Sequence, residues 1–417
     1  MKNYKYIIVG GGTTAGYAVK EFAEQNLGGD LCIISNESTL PMNRPPFSKE
    51  YLQDKDKDDE ILINKKEFYE KHGIELLLDT PAKDVEFGKK QVLLENGDKL
   101  GYEKLLIATG SKLKKLDIEG ANLKHIFYLR DQKQADNIRE HADNAKNAVV
   151  VGGGYIGTET AAILNKSGLK VTMIVPEDKV LDRFATDDIA TFFQNEFRKN
   201  GVDIILNDSV KGFYGSGKVE EVELLSGKRL KTDIVVAGIG VEPNIDIFKN
   251  TSLDINKGVV VNEFCETNLE DVYAAGDVAE FPDMLFDSLK VVEHWEHAVE
   301  QGKHAAKVMT GSRDPYLFFP FFFSDLFEYS YEYFGANESA DEAVNRGDIK
   351  TGNFSTWWFE GNRLVAALVM SSRPEEEGKL AREWISGKTD IDKEKIEDEN
   401  TKMDELVLNI GLHDSQS

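Results

Sequence analysis

The sequence has little cysteine and no long apolar run. Its 417 residues include two cysteines, Cys32 and Cys265, and no C-x-x-C motif, which excludes a zinc knuckle and a local redox disulfide. Scarce cysteine is typical of intracellular proteins, so we predict a cytoplasmic location. No stretch approaches the roughly 20 apolar residues of a membrane span, and the apolar run near Met1 is too short for a signal peptide.

Positively charged residues are far fewer than negatively charged ones. The chain has 50 Lys and Arg against 74 Asp and Glu, a net charge of -24. A surface this acidic repels phosphate backbones and anionic lipids, so we expect neither nucleic acid nor a membrane as a partner. The hydrophobic content of 41% is ordinary for a globular protein, and the length allows about two to four domains.

One pattern of strand, glycine turn, helix and strand occurs twice along the chain. The two copies occupy residues 6–9, 10–12, 15–24 and 31–35, and then residues 148–151, 152–154, 157–166 and 170–175. Such a pattern predicts a βαβ unit, and the wide separation of the copies places them in two domains.

Both glycine turns have the form that holds a dinucleotide. The first fits G-x-G-x-x-A over residues 10–15, and the second fits G-x-G-x-x-G over residues 152–157. The first glycine allows the tight turn, the second admits the pyrophosphate, and the third small residue lets the helix pack on the strand. Glu37 and Glu177 follow at the distance expected of an acid that binds an adenosine ribose. Two ordinary α/β turns are the alternative interpretation, but two complete patterns favour electron transfer between two nucleotides.

Other segments predict β structure and a tail. Residues 83–100 alternate polar and apolar side chains around Asn96-Gly97, which indicates a β-meander, and residues 219–230 form a hairpin pattern around Ser226-Gly227. Residues 315–334 are rich in aromatics and suggest a small domain with a β core. The charged residues 390–405 predict a mobile tail.

Several motifs, taken in order, resemble those of one known group. They are Arg44-Pro45-Pro46-Phe47-Ser48-Lys49, Ala108-Thr109-Gly110, Gly238-Ile239-Gly240-Val241-Glu242-Pro243-Asn244 and Tyr273-Ala274-Ala275-Gly276-Asp277-Val278. On these residues the chain is identified as a member of the FAD-dependent pyridine nucleotide reductase superfamily. It resembles its ferredoxin reductases, monodehydroascorbate reductases and apoptosis-inducing factor.

The resemblance implies an α/β fold with two Rossmann-like dinucleotide-binding domains, as in glutathione reductase, and a C-terminal α+β interface domain. An FAD-binding domain would be interrupted by an NAD(P)-binding domain and followed by a β-rich domain and a charged tail. The expected boundaries, in that order, are 1–112, 113–244, 245–312, 313–386 and 387–417.

The resemblance also implies site residues. The implied FAD contacts are Gly10, Gly12, Thr13, Thr14, Ala15, Glu37, Arg44, Lys49, Thr109, Gly110, Arg130, Gly276, Asp277, His294 and Trp295. The implied contacts of NADH, with NADPH left open, are Gly152, Gly154, Tyr155, Ile156, Gly157, Glu177 and Gly240.

Three of the implied site residues are catalytic: Lys49, Glu159 and Trp295. Glu159 is placed on the first turn of the helix of the second βαβ unit, and in the family the acid at this position pairs with the lysine beside the flavin. Trp295 takes the position of an aromatic residue near the flavin ring. A surface ion pair and a core tryptophan are the alternatives. His294 and His297 are three residues apart, but the sequence shows no third metal ligand to join them, so no metal site is predicted.

The motif at residues 44–49 contains no sulfur, although disulfide reductases of the superfamily carry a cysteine pair there. We therefore predict direct transfer to a one-electron acceptor, either a small iron–sulfur or rubredoxin-type carrier or a small radical. An NADH redox sensor with slow turnover and an NADH oxidase using oxygen stay open as alternatives. The oligomeric state is expected to be a monomer or a homodimer.

Two positions bear on the acceptor and one on the coenzyme. Asp325 and Phe334 stand where monodehydroascorbate reductases carry Arg and Tyr, and Asp325 would repel an anionic radical. Glu177 would repel the 2′-phosphate of NADPH, which favours NADH.

Overall fold

A computed structural model describes residues 1–53 and 61–408 of the chain. They group into two compact units. The first unit comprises Met1–Lys114 and Gly240–Phe318, and the second comprises Lys115–Ile239 and the described residues from Phe319 onward. The boundaries expected for three domains stay predictions.

The described residues form seven α-helices and twenty-five strands. The helices are α1 Thr13–Glu24, α2 Lys66–His72, α3 Gln132–Ala142, α4 Tyr155–Lys166, α5 Asp187–Lys199, α6 Trp295–Met309 and α7 Pro374–Ser386. The strands are β1 Lys2–Val9, β2 Leu31–Ile34, β3 Glu75–Leu77, β4 Ala82–Glu86, β5 Gln91–Leu94, β6 Lys99–Ile107, β7 Ser111–Leu113, β8 Ile126–Tyr128, β9 Asn147–Val151, β10 Lys170–Val175, β11 Asp203–Leu206, β12 Val210–Tyr214, β13 Glu221–Leu224, β14 Arg229–Lys231, β15 Ile234–Ala237, β16 Val241–Pro243, β17 Val259–Val260, β18 Val272–Ala274, β19 Ala279–Asp283, β20 Ser288–Lys290, β21 Phe321–Leu326, β22 Tyr329–Gly335, β23 Glu342–Asp348, β24 Asn353–Glu360 and β25 Arg363–Met370. Over residues 1–53 and 61–408, every helix falls short of the length and apolarity that crossing a membrane requires.

The first unit is built on a seven-stranded mixed sheet. Its order is β3-β2-β1-β6-β5-β4, with β18 paired to β6. β1 and β2 run parallel on either side of α1 in sequence, which confirms the first βαβ unit, and the antiparallel β4, β5 and β6 confirm the meander. Successive residues of β1 face opposite sides: Ile7 lies in the same buried cluster as Phe248, and Ile8 lies in the same buried cluster as Phe22. Both faces of the sheet are therefore covered, as parallel strands require.

The second unit contains a parallel sheet and an antiparallel one. The parallel sheet has the order β11-β10-β9-β15-β8, and β9, α4 and β10 form the second βαβ unit. The antiparallel sheet has the order β21-β22-β25-β24-β23 and packs against α7. Its buried residues include Trp357, whose ring lies 5.7 Å from that of Trp384. The predictions of a β core here and of a hairpin at β13–β14 are confirmed.

Both helices of the βαβ units begin two residues earlier than expected, at Thr13 and at Tyr155. In each case the preceding glycine has an extended backbone and acts as the N-cap. Glu159 is consequently the fifth residue of α4 and lies at the start of its second turn, which corrects the placement on the first turn.

The charged C-terminal segment is held in place up to residue 408. Ile391, Ile396 and Leu406 are fully buried, although their neighbours are charged. Arg346 of β23 is also buried, and its guanidinium donates four hydrogen bonds of 2.8–3.1 Å to the carbonyls of Ile396, Asp398, Glu399 and Thr401. The prediction of a mobile tail is wrong for these residues because composition does not show which few apolar side chains are buried. Residues 409–417 lie outside the described part.

We expect Arg346→Met to release this segment from the sheet. Hydrogen bonds to a charged group contribute about 1.5–3 kcal/mol each, so losing four should destabilise the segment by roughly 3–5 kcal/mol, allowing for non-additivity. Trypsin should then cut at Lys393, Lys395 and Lys402 well before the rest of the chain. Arg363→Met is the matched control, since this arginine of the same antiparallel sheet bonds to Glu360 at the surface. Equal cleavage rates in the two variants would contradict the assignment.

Candidate functional site

The first glycine turn lies at the carboxyl end of β1. Gly10 has a φ of 132°, and a Cβ there would overlap the carbonyl oxygen of Ala108, so a side chain is excluded. A Cβ on Gly12, in contrast, would face only the guanidinium of Arg44, 3.3 Å away. The turn therefore presents open backbone with a cation above it.

The N-terminus of α1 has no side-chain cap, unlike the N-termini of α3 and α5. α3 has a capping box formed by Asp131 and Gln134, and α5 is capped by Thr186. α1 has neither a side-chain cap nor an acidic residue in its first turn, and Thr13, Thr14 and Ala15 are buried. Buried first-turn N–H groups need acceptors, and a phosphate placed at the N-terminus supplies them.

The side chains of the turn hold it against its neighbours. The hydroxyl of Thr13 donates to the carbonyl of Met42 at 3.2 Å, and Thr14 packs where a Cβ on Gly276 would otherwise lie. Arg44 donates to the carboxylate of Glu37 at 2.6 Å. The structure thus brings together the turn, Glu37 and Arg44, as the resemblance implies.

Asp277 lies beside the first glycine turn. Two hydrogen bonds that the sequence did not suggest hold Asp277 and the preceding Gly276. Ser111 donates to the carboxylate of Asp277 at 2.6 Å. The backbone N–H of Gly276 donates to the side-chain carbonyl of Gln301 on α6 at 2.7 Å. Thr109 donates to the carbonyl of Asn244 at 2.8 Å, which links two of the motifs.

Trp295 begins α6, and its N-cap is His294. The indole N–H donates to the side-chain oxygen of Asn43 at 2.9 Å, and the ring of Tyr17 meets the indole edge-on at 6.3 Å. The tryptophan is therefore attached to the residue that directly precedes the motif at residues 44–49.

His297 lies in the interior of the first unit. It is fully buried, stacks on Phe281 with ring centroids 4.7 Å apart and lies 3.1 Å from the hydroxyl of Tyr316. Burial lowers the pKa of His297 to about 3. No group of three His, Cys, Asp or Glu that could hold a metal ion occurs in residues 1–53 and 61–408.

The two cysteines are free, buried and apart. Cys32 packs in the cluster that contains Ile7, and Cys265 packs in the cluster that contains Ile8 on the other side of the sheet. Burial raises the pKa of Cys32 to about 12 and raises that of Cys265 as well, so both are thiols at neutral pH. Neither lies in a glycine turn or in the motif at residues 44–49.

The second glycine turn repeats the geometry of the first. Gly152 has a φ of 111°, and a Cβ on Gly157 would overlap the carbonyl oxygen of Gly152. α4 has no side-chain cap and no acid in its first turn, while Gly154 and Ile156 are exposed. The exposed Glu177 follows β10, where its backbone carbonyl accepts from the N–H of Asn207 at 3.0 Å.

An aromatic cluster and a buried carboxylate adjoin this turn within the second unit. The rings of Tyr155 and Phe184 are nearly parallel, with centroids 5.7 Å apart, and Phe322 meets Tyr155 edge-on at 4.7 Å. Glu159 is 8% exposed, and the hydroxyl of Ser324 donates to its carboxylate at 2.6 Å.

The roles of all the predicted site residues stay predictions, including those of Lys49, Glu159, Arg130 and Gly240. Lys49 follows the short 3₁₀ helix Pro45–Ser48 in the first unit, whereas Glu159 and Arg130 belong to the second unit. Gly240 begins a segment of the first unit and has a φ of 93°.

The residues that sequence reasoning missed are Asn43, Ser111, Gln301 and Ser324. Asn43 directly precedes the motif at residues 44–49, and Ser324 directly precedes Asp325, which was the available signal.

Comparison with known proteins agrees with this geometry. Residues 4–302 match the family described as pyridine nucleotide-disulphide oxidoreductase, and residues 321–407 match a family described as reductase C-terminal. A monodehydroascorbate reductase of Pisum sativum is 36% identical over 409 residues, covering 91% of this chain and 94% of the relative.

Solved structures are similar over nearly the whole chain. The reductase in a covalent putidaredoxin reductase–putidaredoxin complex has a TM-score of 0.91 and 29% identity, covering 97% of both chains. A ferredoxin reductase for the CYP199A2 system of Rhodopseudomonas palustris has a TM-score of 0.91 and 25% identity, covering 96% of this chain and 99% of its own. This chain therefore belongs to the pyridine nucleotide-disulphide oxidoreductase family and is an FAD-dependent NAD(P)H oxidoreductase.

Proposed function

We propose that this protein oxidises NADH and reduces a one-electron acceptor, in the first place a small iron–sulfur or rubredoxin-type carrier. When bound, FAD supplies the chemistry, since a flavin takes up a hydride as an electron pair and can release electrons singly. One observation carries the proposal: two helix N-termini are uncapped at glycine turns, while both cysteines are buried away from them. Such a chain has two nucleotide sites and no dithiol.

The residues of the first unit fit FAD. In this proposal the α1 N-terminus and Arg44 bind the diphosphate, and Glu37 binds the adenosine ribose. Asp277, oriented by Ser111, binds the ribityl chain, and Trp295 lies against the flavin ring. The remaining proposed FAD contacts of this unit are Thr109, Gly110 and His294, and Arg130 of the second unit is retained as a proposed contact.

The residues of the second unit fit NADH. The α4 N-terminus binds the diphosphate, with Gly154 and Ile156 exposed beside it, and Glu177 binds the ribose. We retain the proposal that Gly240 contacts the nicotinamide nucleotide. We also retain the proposal that Lys49 and Glu159 act as a pair in hydride transfer.

Two features bear on the acceptor. Asp325 is an exposed carboxylate that accepts from the hydroxyl of Ser330 at 2.6 Å, and Phe334 is buried. An exposed carboxylate repels an anionic radical, which favours a protein carrier, and the similarity to a putidaredoxin reductase supports that choice. The ascorbate radical is the second candidate because of the 36% identity to a monodehydroascorbate reductase.

The test is anaerobic stopped-flow spectroscopy. Purified protein should be yellow and should bleach with NADH. The reduced protein is then mixed with a ferredoxin, a rubredoxin, the ascorbate radical, a quinone and oxygen, and an iron–sulfur or rubredoxin carrier should reoxidise it fastest. Slow reoxidation by every acceptor would instead support an NADH sensor, and rapid turnover with oxygen would support an oxidase. Protein that cannot be loaded with FAD would overturn the proposal.

Glu177 gives a separate prediction about the coenzyme. Its carboxylate should repel the 2′-phosphate of NADPH, so Glu177→Gln should improve kcat/KM for NADPH relative to NADH. Two charges about 4 Å apart in water interact by roughly 1 kcal/mol, which corresponds to about fivefold. Asp178→Asn is the matched control, because it removes the adjacent exposed carboxylate. An unchanged coenzyme ratio in Glu177→Gln would exclude this role.

A further inference from the structure

Glu159 is a buried carboxylate on α4 that needs hydrogen-bond donors. Its residue is 8% exposed, and an ionised carboxylate removed from water is stable only when groups around it donate to it. The hydroxyl of Ser324, on β21 of the antiparallel sheet, donates to Oε1 of Glu159 at 2.6 Å. This short distance is typical of an O–H group bonded to a charged acceptor.

Ser324 is itself enclosed and has a second hydroxyl beside it. It is 1% exposed and stands opposite Tyr331 in the pairing of β21 with β22. The ring of Tyr331 is also buried, and its pKa is raised first by burial and then by the charge of Glu159. The hydroxyl of Tyr331 has no hydrogen-bond partner among the described residues, whereas Ser324 donates its proton to Glu159.

We infer that Ser324 is a positioning residue that holds the Glu159 carboxylate in one orientation for hydride transfer. The inference rests on the proposed function, in which Glu159 takes part in that step. Ser324 comes from a different sheet and lies 165 residues further along the chain, so the bond also fixes α4 against β21.

The experiment measures the rate constant of flavin reduction by NADH in FAD-loaded Ser324→Ala, Glu159→Gln and the double variant. We expect Ser324→Ala to be slower by about tenfold or more, as the loss of one hydrogen bond to a charged group predicts. The double variant should be no slower than Glu159→Gln alone, because Ser324 acts through Glu159.

A readout independent of turnover is the infrared carboxylate stretch of Glu159, identified by its loss in Glu159→Gln. It should shift in Ser324→Ala and stay unchanged in Ser355→Ala. Ser355 is the matched control: it is equally buried in the same antiparallel sheet, but it accepts from the indole of Trp357 at 2.9 Å.

The outcomes separate the two ideas. If Glu159→Gln is slow and Ser324→Ala is as fast as the natural protein, the role of Ser324 is wrong and the proposed function stands. If the losses of the single variants multiply in the double variant, Ser324 acts independently of Glu159 and the inference is again wrong. If NADH reduces the flavin of Glu159→Gln as fast as that of the natural protein, the proposed role of Glu159 fails together with the inference.

Discussion

Gly10→Ala should yield protein that is expressed but lacks FAD. The added Cβ would overlap the carbonyl of Ala108, and the φ of 132° is one that alanine rarely adopts. Forced overpacking costs about 1–3 kcal/mol and an unfavourable backbone region about 1–3 kcal/mol. Because β1 and β6 meet at this point, the strain falls on the turn that is proposed to bind the diphosphate. The measurement is the flavin-to-protein absorbance ratio after purification, followed by FAD titration of the apoprotein.

Gly29→Ala is the matched control for this variant. Gly29 belongs to the same unit, is exposed, and a Cβ there would meet nothing within 4 Å. It should retain a full complement of FAD and its melting temperature should hardly change. A Gly10→Ala protein that binds FAD as tightly as the control does would show that the backbone at the first turn tolerates a side chain, contrary to its geometry.

The second large effect is a loss of stability in mild acid that depends on His297. Burial lowers its pKa from 6.5 to about 3, so the folded protein keeps it neutral while the unfolded chain takes up a proton below pH 6.5. The unfolded state is therefore favoured progressively as pH falls from about 6.5 to about 3. Each pH unit in this window is worth about 1.4 kcal/mol, which amounts to about 2.7 kcal/mol at pH 4.5.

We expect His297→Asn to be less stable than the natural protein at pH 7, because it loses the stacking on Phe281. Its free energy of unfolding should then fall less steeply between pH 7 and pH 4.5, by about 2.7 kcal/mol over that interval. Urea unfolding at several pH values measures both quantities. His72→Asn, at a half-buried position of the same unit, should keep the pH slope of the natural protein. Parallel curves for His297→Asn and the natural protein would disprove the prediction.

Local patterns predicted the elements, and long-range contacts set the details of the site. The two βαβ units follow from β-branched runs and glycines within about 30 residues of one another, and the structure confirms them. The bond from Trp295 to Asn43 joins residues 252 positions apart, and that from Ser111 to Asp277 joins residues 166 apart. Neither contact has a periodic or spacing signal, so a single sequence does not reveal it.

For the C-terminal segment, the prediction from composition was wrong. Its composition is charged, and charge is normally a guide to solvation. Arg346 reverses that expectation because one buried guanidinium satisfies four backbone carbonyls that would otherwise need water. A sparse apolar pattern, Ile391, Ile396, Met403 and Leu406, completes the anchoring. Such a segment can be recognised only when its partner in the sheet is known.

The mixed sheet of the first unit fixes when during synthesis the cofactor cradle can be completed. β1 and the first turn leave the ribosome early, but β18 and Asp277 are made only after the whole intervening segment of the second unit. Gly302 of α6, against which the backbone of Thr14 packs closely, comes later still. Until these segments are made, α1 lacks the helix that covers it, and the first turn lacks Gly276, against which Thr14 packs. We therefore expect the nascent chain to acquire FAD late, after most of its length has been translated.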